Sequence, residues 1–169
     1  DFVPSRGLGD VYKRQWEFRN ATGTATVYDM VGGVAATPTG GATSTSEGMI
    51  FDGVDDFVTL APFALGGSGM TFELYNYVAH YTFNDRIINL SYNTYEWDTI
   101  NITNSGFGVR VGSGEYNTMT LTNSTSVWNH IVITVENDGT GIFYMNGLPT
   151  GTGSSLVASN ITRAATYIG

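Results

Sequence analysis

The chain has 169 residues, enough for one domain with a substantial core, and only 13% of its residues are charged. Glycine is abundant with 22 copies, so residues that favour strands and turns replace residues that favour helices. The formal net charge of −8 opposes contact with phosphate backbones and argues against a nucleic-acid partner. The absence of cysteine excludes disulfides and thiolate metal sites. No apolar run reaches the ~18 residues of a membrane-spanning helix.

The two ends of the chain do not read as native domain ends. Residues 10–15, with the sequence DVYKRQ, resemble a translated adapter of the kind left in assembled sequencing reads. Residues 1–15 are therefore predicted to be a non-native segment, and residues 16–169 to form the domain. We interpret the last residues, Tyr167-Ile168-Gly169, as the start of a strand that is truncated. We therefore expect the C-terminal strand of the domain to be missing.

Alternating apolar and polar residues predict β-strands throughout, and helical spacing is not sustained anywhere. The longest alternating segment, residues 127–136, places Ile131, Ile133 and Val135 on one face. Asn146-Gly147 and residues 137–139 (Asn-Asp-Gly) predict two hairpin turns. Further strands are predicted at residues 27–28, 31–36, 50–51, 57–60, 70–78, 86–90, 98–102, 107–111, 116–121 and 141–145. So many short strands favour an all-β fold, a two-sheet antiparallel β-sandwich.

Three segments of the chain follow one another in the order and spacing that are typical of a known family. They read FDGVDDFV at 51–58, WNHIVITV at 128–135 and FYMNG at 143–147. Together they resemble the laminin-G-like domains of the concanavalin A-like lectin/glucanase superfamily, which fold as jelly rolls. The resemblance covers residues 16–169 and implies the same jelly-roll sandwich here. Since tryptophan carries a large apolar ring, we expect Trp128 to face the core between the sheets.

The closest approach to a catalytic motif is Glu96-Trp97-Asp98. It is similar to the acidic strand of family 16 glucanases, which share this fold. A retaining glycosidase needs two carboxyl groups ~5–5.5 Å apart, one as nucleophile and one as acid. The position of the further acid of that strand holds Ile100 or Asn101, and neither side chain can protonate a leaving group. We therefore predict that the chain is not an enzyme.

Four aspartates are candidate ligands for a structural calcium ion. Calcium takes ~6–8 oxygen ligands, and carboxylates are among the commonest. The family resemblance implies such an ion at an edge of the sandwich, with Asp29 the best-placed candidate. Asp52, Asp55 and Asp56 offer further carboxylates. The alternative is that these carboxylates cap backbone amides in turns.

A polar, turn-rich segment, residues 91–99, contains aromatic side chains without apolar neighbours. Exposed aromatic faces stack on the C–H groups of sugar rings, while amide and carboxylate groups bond the hydroxyls. The alternative is that the rings fold back over a sheet edge. The predicted ligand-binding residues are Tyr92, Asn93, Tyr95, Trp97 and Asp98.

The family resemblance suggests the role of the whole domain. We expect a non-catalytic recognition module of a larger extracellular or surface protein, with carbohydrate as its ligand and calcium as its one possible cofactor. The alternative is an adhesive or structural module that binds protein, in a cell-surface or virion appendage.

Overall fold

A computed structural model of the chain describes residues 14–20, 23–67, 69–80, 85–93, 98–103, 105–112, 116–120 and 125–169. Within these residues the chain forms sixteen strands and one 3-10 turn at Phe18–Asn20, without an α-helix. The strand pairs are antiparallel, so the predicted all-β antiparallel class is confirmed. None of the described segments is a helix long and apolar enough to cross a membrane.

The strands belong to two compact units. The first comprises the described residues up to Pro62 together with Tyr167–Gly169, and the second is Phe63–Thr166. Strands of the first unit are β1 (Val27–Tyr28), β2 (Ala35–Thr39), β3 (Thr43–Thr45), β4 (Gly48–Ile50) and β5 (Phe57–Leu60). Strand β16 (Ala165–Ile168) ends in this unit, where Tyr167 and Ile168 pair with β5.

The alternation of more buried and less buried side chains along the strands explains the packing of the first unit. In β5, Val58 and Leu60 are buried while Phe57 and Thr59 are half-buried, because successive side chains of a strand point to opposite faces. Strand β2 pairs with both β1 and β5, and its Ala36 is fully buried. Strands β3 and β4 form a separate hairpin.

The second unit contains the larger core. Its strands are β6 (Phe63–Gly67), β7 (Met70–Tyr77), β8 (Arg86–Ser91), β9 (Ile100–Thr103), β10 (Gly106–Arg110), β11 (Tyr116–Thr120), β12 (Trp128–Val135), β13 (Gly141–Met145), β14 (Leu148–Gly153) and β15 (Ala158–Arg163). One sheet has the order β14-β13-β12-β7, and a second contains β8-β9-β10-β11. Strand β15 pairs with β6.

These two sheets pack face to face in the second unit. The rings of Phe72 on β7 and Phe107 on β10 meet with their centroids 5.6 Å apart. Ile131 and Ile133 of β12 and Phe143 of β13 lie in the same sheet as Phe72 and are fully buried in this interior. The predicted two-sheet sandwich is therefore confirmed.

Both predicted hairpins of this unit are present. Val135 pairs with Gly141 across one turn, and Met145 pairs with Leu148 across the other. In the second turn, Asn146 and Gly147 have φ angles of 52° and 82°, the two positive values that a type I′ turn requires.

The prediction that Trp128 faces the core is wrong. Trp128 is the first residue of β12 and is 49% exposed, whereas the neighbouring Asn129 is fully buried. Ile131 and Ile133 point inward, and alternation along the strand then places Trp128 on the outer face. The size of a tryptophan favours burial, but the period of the strand decides which face it occupies.

Candidate functional site

Three of the four predicted calcium ligands meet in the loop before β5. Asp52, Asp55 and Asp56 each offer a carboxylate oxygen, and these oxygens lie within 4.8 Å of one another. The Asp52 N–H donates to Asp56 Oδ2 (2.9 Å), and the Val54 N–H donates to Asp52 Oδ1 (2.8 Å). Asp56 Oδ1 is buried without a hydrogen-bond partner. The donor set is that of a hard cation, which would need further oxygens to complete its coordination.

Asp29 is not a member of this group. It is buried, and its Oδ1 accepts the N–H groups of Gln15 (2.6 Å) and Val31 (3.1 Å). Its Oδ2 accepts the Gly32 N–H at 2.8 Å and lies 3.5 Å from Arg14 Nη1. The carboxylate therefore caps backbone amides of a turn, as the alternative interpretation had it. Two of its partners belong to the segment predicted to be adapter-like.

The predicted ligand-binding loop is described in part. Tyr92 follows β8 directly and is 51% exposed, while Asn93 and Asp98 are half-buried. Tyr95 and Trp97 lie outside the described residues. The structure thus places an exposed ring at the start of the loop and a partly buried carboxylate at its end.

A buried arginine holds the end of this loop. Arg163 is fully buried and donates to the carbonyl groups of Leu65 (3.1 Å), Leu90 (3.1 Å) and Ser159 (3.0 Å), and also to that of Asp98. Asp98 Oδ1 accepts a hydrogen bond from Ser159 Oγ at 2.7 Å. Burial lowers the pKa of Arg163 to about 10, against the opposing effect of the Asp98 carboxylate, so the side chain is cationic at neutral pH. Sequence reasoning did not single out Arg163.

Four rings lie together on the outer face of the four-stranded sheet. Tyr75 and Tyr77 belong to β7 and Trp128 and His130 to β12, and the strand register places Tyr75 opposite His130 and Tyr77 opposite Trp128. The first pair is stacked, with centroids 4.9 Å apart and planes at 18°, and the second is tilted, at 5.8 Å and 57°. Tyr75 is 69% exposed, and Tyr77 and Trp128 are about half exposed. We call these four residues the aromatic face.

A hydrogen-bonded polar pair adjoins the aromatic face. His130 Nε2 lies 2.8 Å from Glu73 Oε1, and Glu73 points outward from β7 two residues before Tyr75. Flat rings thus lie beside a carboxylate and an imidazole that can exchange hydrogen bonds with a ligand.

Sequence analysis did not assign the aromatic face to a site, although part of the signal was present. Alternation in residues 70–77 puts Glu73, Tyr75 and Tyr77 on one face, and alternation in 128–135 puts Trp128 and His130 on one face. Only the pairing of β7 with β12, segments separated by a long stretch of chain, joins the two sets.

Comparison with known proteins agrees with the fold. A family model described as the concanavalin A-like lectin/glucanases superfamily matches residues 52–169. No curated protein matches the chain. Among solved structures, the chain is similar to domain 4 of AbnA, a GH43 extracellular arabinanase from Geobacillus stearothermophilus, in complex with arabinotriose. The TM-score is 0.60 at 13% identity, and the match covers 91% of this chain and 80% of that chain.

At this identity the likeness to the arabinanase domain concerns the fold alone. The family match stands on its own, since it spans most of the chain and includes the three segments that carried the resemblance except for Phe51. The predicted laminin-G-like, concanavalin A-like fold is confirmed, and the chain belongs to the Laminin_G_3 family of the concanavalin A-like lectin/glucanases superfamily.

Proposed function

We propose that this chain is a non-catalytic carbohydrate-binding module of an extracellular protein and that the aromatic face binds the sugar. The observation that carries the proposal is the pair of exposed ring contacts, Tyr75 with His130 and Tyr77 with Trp128, beside the Glu73 carboxylate. A sugar ring has an apolar C–H face that packs on aromatic rings and hydroxyls that bond polar neighbours.

Two further points support this role. The solved domain of similar fold binds arabinotriose and comes from an extracellular arabinanase, which favours a carbohydrate ligand and an extracellular location for this chain. A non-catalytic role is favoured because the Glu96-Trp97-Asp98 segment lacks the further acid of a glucanase strand.

The loop predicted from the sequence is a second candidate for sugar binding. The exposed Tyr92 ring and the anchoring of Asp98 by Ser159 and Arg163 favour it. Asn93, Tyr95 and Trp97 complete the proposed loop site, and separate variants distinguish it from the aromatic face.

Removing rings from the aromatic face should weaken sugar binding without unfolding the domain. We expect Trp128→Ala and Tyr75→Ala each to lower the affinity for arabinotriose at least about fivefold, since truncating an aromatic contact that the ligand buries costs more than ~1 kcal/mol. Both rings are exposed in the free protein, so the melting temperature should change little. Calorimetric titration measures the affinity.

The matched control is Tyr28→Ala, which removes an exposed tyrosine of the first unit. Unchanged affinity in Trp128→Ala and Tyr75→Ala would contradict the assignment to the aromatic face, and loss of binding in Tyr92→Ala alone would move the site to the loop. Failure to bind arabinotriose or any glycan of an array, together with capture of a protein by the wild type, would favour the adhesive alternative.

A further inference from the structure

We infer that the aromatic face selects a linear, uncharged glycan and that Glu73 is the residue that rejects acidic ones; this inference rests on the proposed function. Its first basis is the arrangement of the rings. The two ring pairs are two residues apart along β7 and β12, which corresponds to about 7 Å at ~3.3–3.4 Å per residue. This spacing leaves room for one sugar ring at each pair, so neighbouring sugars of an unbranched chain can contact neighbouring pairs.

The second basis is the position of Glu73 on the same line. It lies two residues beyond Tyr75 on β7, its side chain is 44% exposed, and its Oε1 is held 2.8 Å from His130 Nε2. A sugar that packs against the exposed side of the Tyr75 ring therefore has a carboxylate at its edge. A carboxylate accepts hydrogen bonds from hydroxyl groups and repels a second carboxylate.

The third basis is the charge of the surrounding surface. Among the outward side chains of β7 and β12, Glu73 is the only acidic one, and the others are Thr71, Tyr75, Tyr77, Trp128, His130, Val132 and Thr134. Lysine and arginine are absent from these positions, and the whole chain has a formal net charge of −8. The face thus matches a neutral polyhydroxylated ligand and offers no fixed cation to a uronic acid.

The test compares an acidic sugar with its neutral ester. Trigalacturonate and its fully methyl-esterified form have the same rings, and arabinotriose and xylotriose provide uncharged linear references. In low salt, we expect the wild type to bind the esterified form at least about fivefold more tightly than the acid, the effect of one like charge about 4 Å away in water. The difference should shrink as salt is added.

The variant Glu73→Gln keeps an oxygen for His130 and removes the charge. We expect it to bind trigalacturonate about fivefold more tightly than the wild type and arabinotriose within about twofold. Glu47→Gln, at an exposed position of the first unit, is the matched control and should change neither affinity.

The outcomes separate the inference from the proposed function. If arabinotriose binds and Trp128→Ala abolishes its binding, but Glu73→Gln leaves the preference unchanged, the charge selection is overturned and the proposed function stands. Equal affinity of the wild type for the acidic and esterified sugars also overturns the selection. If none of these sugars binds, both the selection and the proposed site are overturned.

Discussion

Four backbone carbonyl groups of the second unit converge on Arg163. Its guanidinium donates to carbonyls of β6, β8 and β15 and to the end of the predicted binding loop. Planar geometry and five N–H donors suit arginine to this role, whereas lysine is a point charge with a flexible stem. The side chain offsets its desolvation by satisfying carbonyls that would otherwise be buried without donors.

Removal of this side chain should destabilise the fold. We expect Arg163→Met to lower the free energy of unfolding by about 3 kcal/mol, because several buried carbonyls lose their donor at once. Arg163→Lys should recover part of the loss. Chemical denaturation measures both effects, and Arg19→Met, at an exposed arginine paired only with Glu17, should change stability by less than about 0.5 kcal/mol. A similarly small effect in Arg163→Met would contradict the role given to Arg163.

At the scale of residues, proximity along the chain decided what could be predicted. Asp52, Asp55 and Asp56 lie within one short loop, so their convergence follows from the sequence alone. In the aromatic face, Tyr75 of β7 contacts His130 of β12, and the sequence of neither strand indicates that the two strands pair. The outward position of Trp128 was available from the alternation of its neighbours but was masked by the size of its ring.

Among the elements, β14 shows how closely the two sheets approach each other. A Cβ atom at Gly151 would lie 2.6 Å from the carbonyl oxygen of Thr120 on β11, and one at Gly153 would lie 2.9 Å from Cβ of Met119. Glycine is required at Gly151 because the backbone of β11 fills the space that a side chain would occupy.

A methyl group at Gly151 should therefore push the sheets apart. We expect Gly151→Ala to lower the free energy of unfolding by about 1–3 kcal/mol, the usual cost of overpacking. Thr152→Ala, at the adjacent exposed position of β14, is the control and should change it by less than about 0.5 kcal/mol. Thermal and urea unfolding report the difference, and an equal effect of the two substitutions would argue against the close approach of β11 and β14.

Predictions of elements succeeded where apolar alternation was strong. Strand β13 has the predicted bounds, and β12 differs by one residue at each end, because isoleucine, valine and phenylalanine mark their inward positions. Strands β6, β14 and β15 were not predicted, since glycine, proline, serine and asparagine interrupt their patterns. Their strand conformation is determined by neighbouring strands more than by their own residues.

For the molecule as a whole, the excess of acidic residues favours the binding of a cation. The chain has 15 acidic and 7 basic residues, and three of the acids form the Asp52, Asp55 and Asp56 group. Calcium binding there stays a prediction. Bringing three carboxylates together costs free energy through mutual repulsion, and a bound divalent ion would reverse that effect.

Calcium should raise the melting temperature of the domain. With a dissociation constant of about 0.1 mM, 10 mM Ca²⁺ would add about 2.7 kcal/mol of stability, or several degrees. Asp55→Asn should remove most of this shift. Magnesium at the same concentration controls for screening, because it prefers a smaller octahedral site. An unchanged melting temperature in 10 mM Ca²⁺ would contradict the predicted calcium site.

The rings of the aromatic face are carried by two regular strands joined by backbone hydrogen bonds from Trp128 and Tyr77 to Val135 and Met70. Their spacing is therefore set by the sheet and does not depend on how a loop closes. A preorganised surface loses little conformational entropy when a ligand binds. Most of the conformational entropy lost on binding is therefore that of the ligand. Ligands that are already extended in solution should gain most from such a surface, and the stiffness of a glycan becomes a determinant of its affinity.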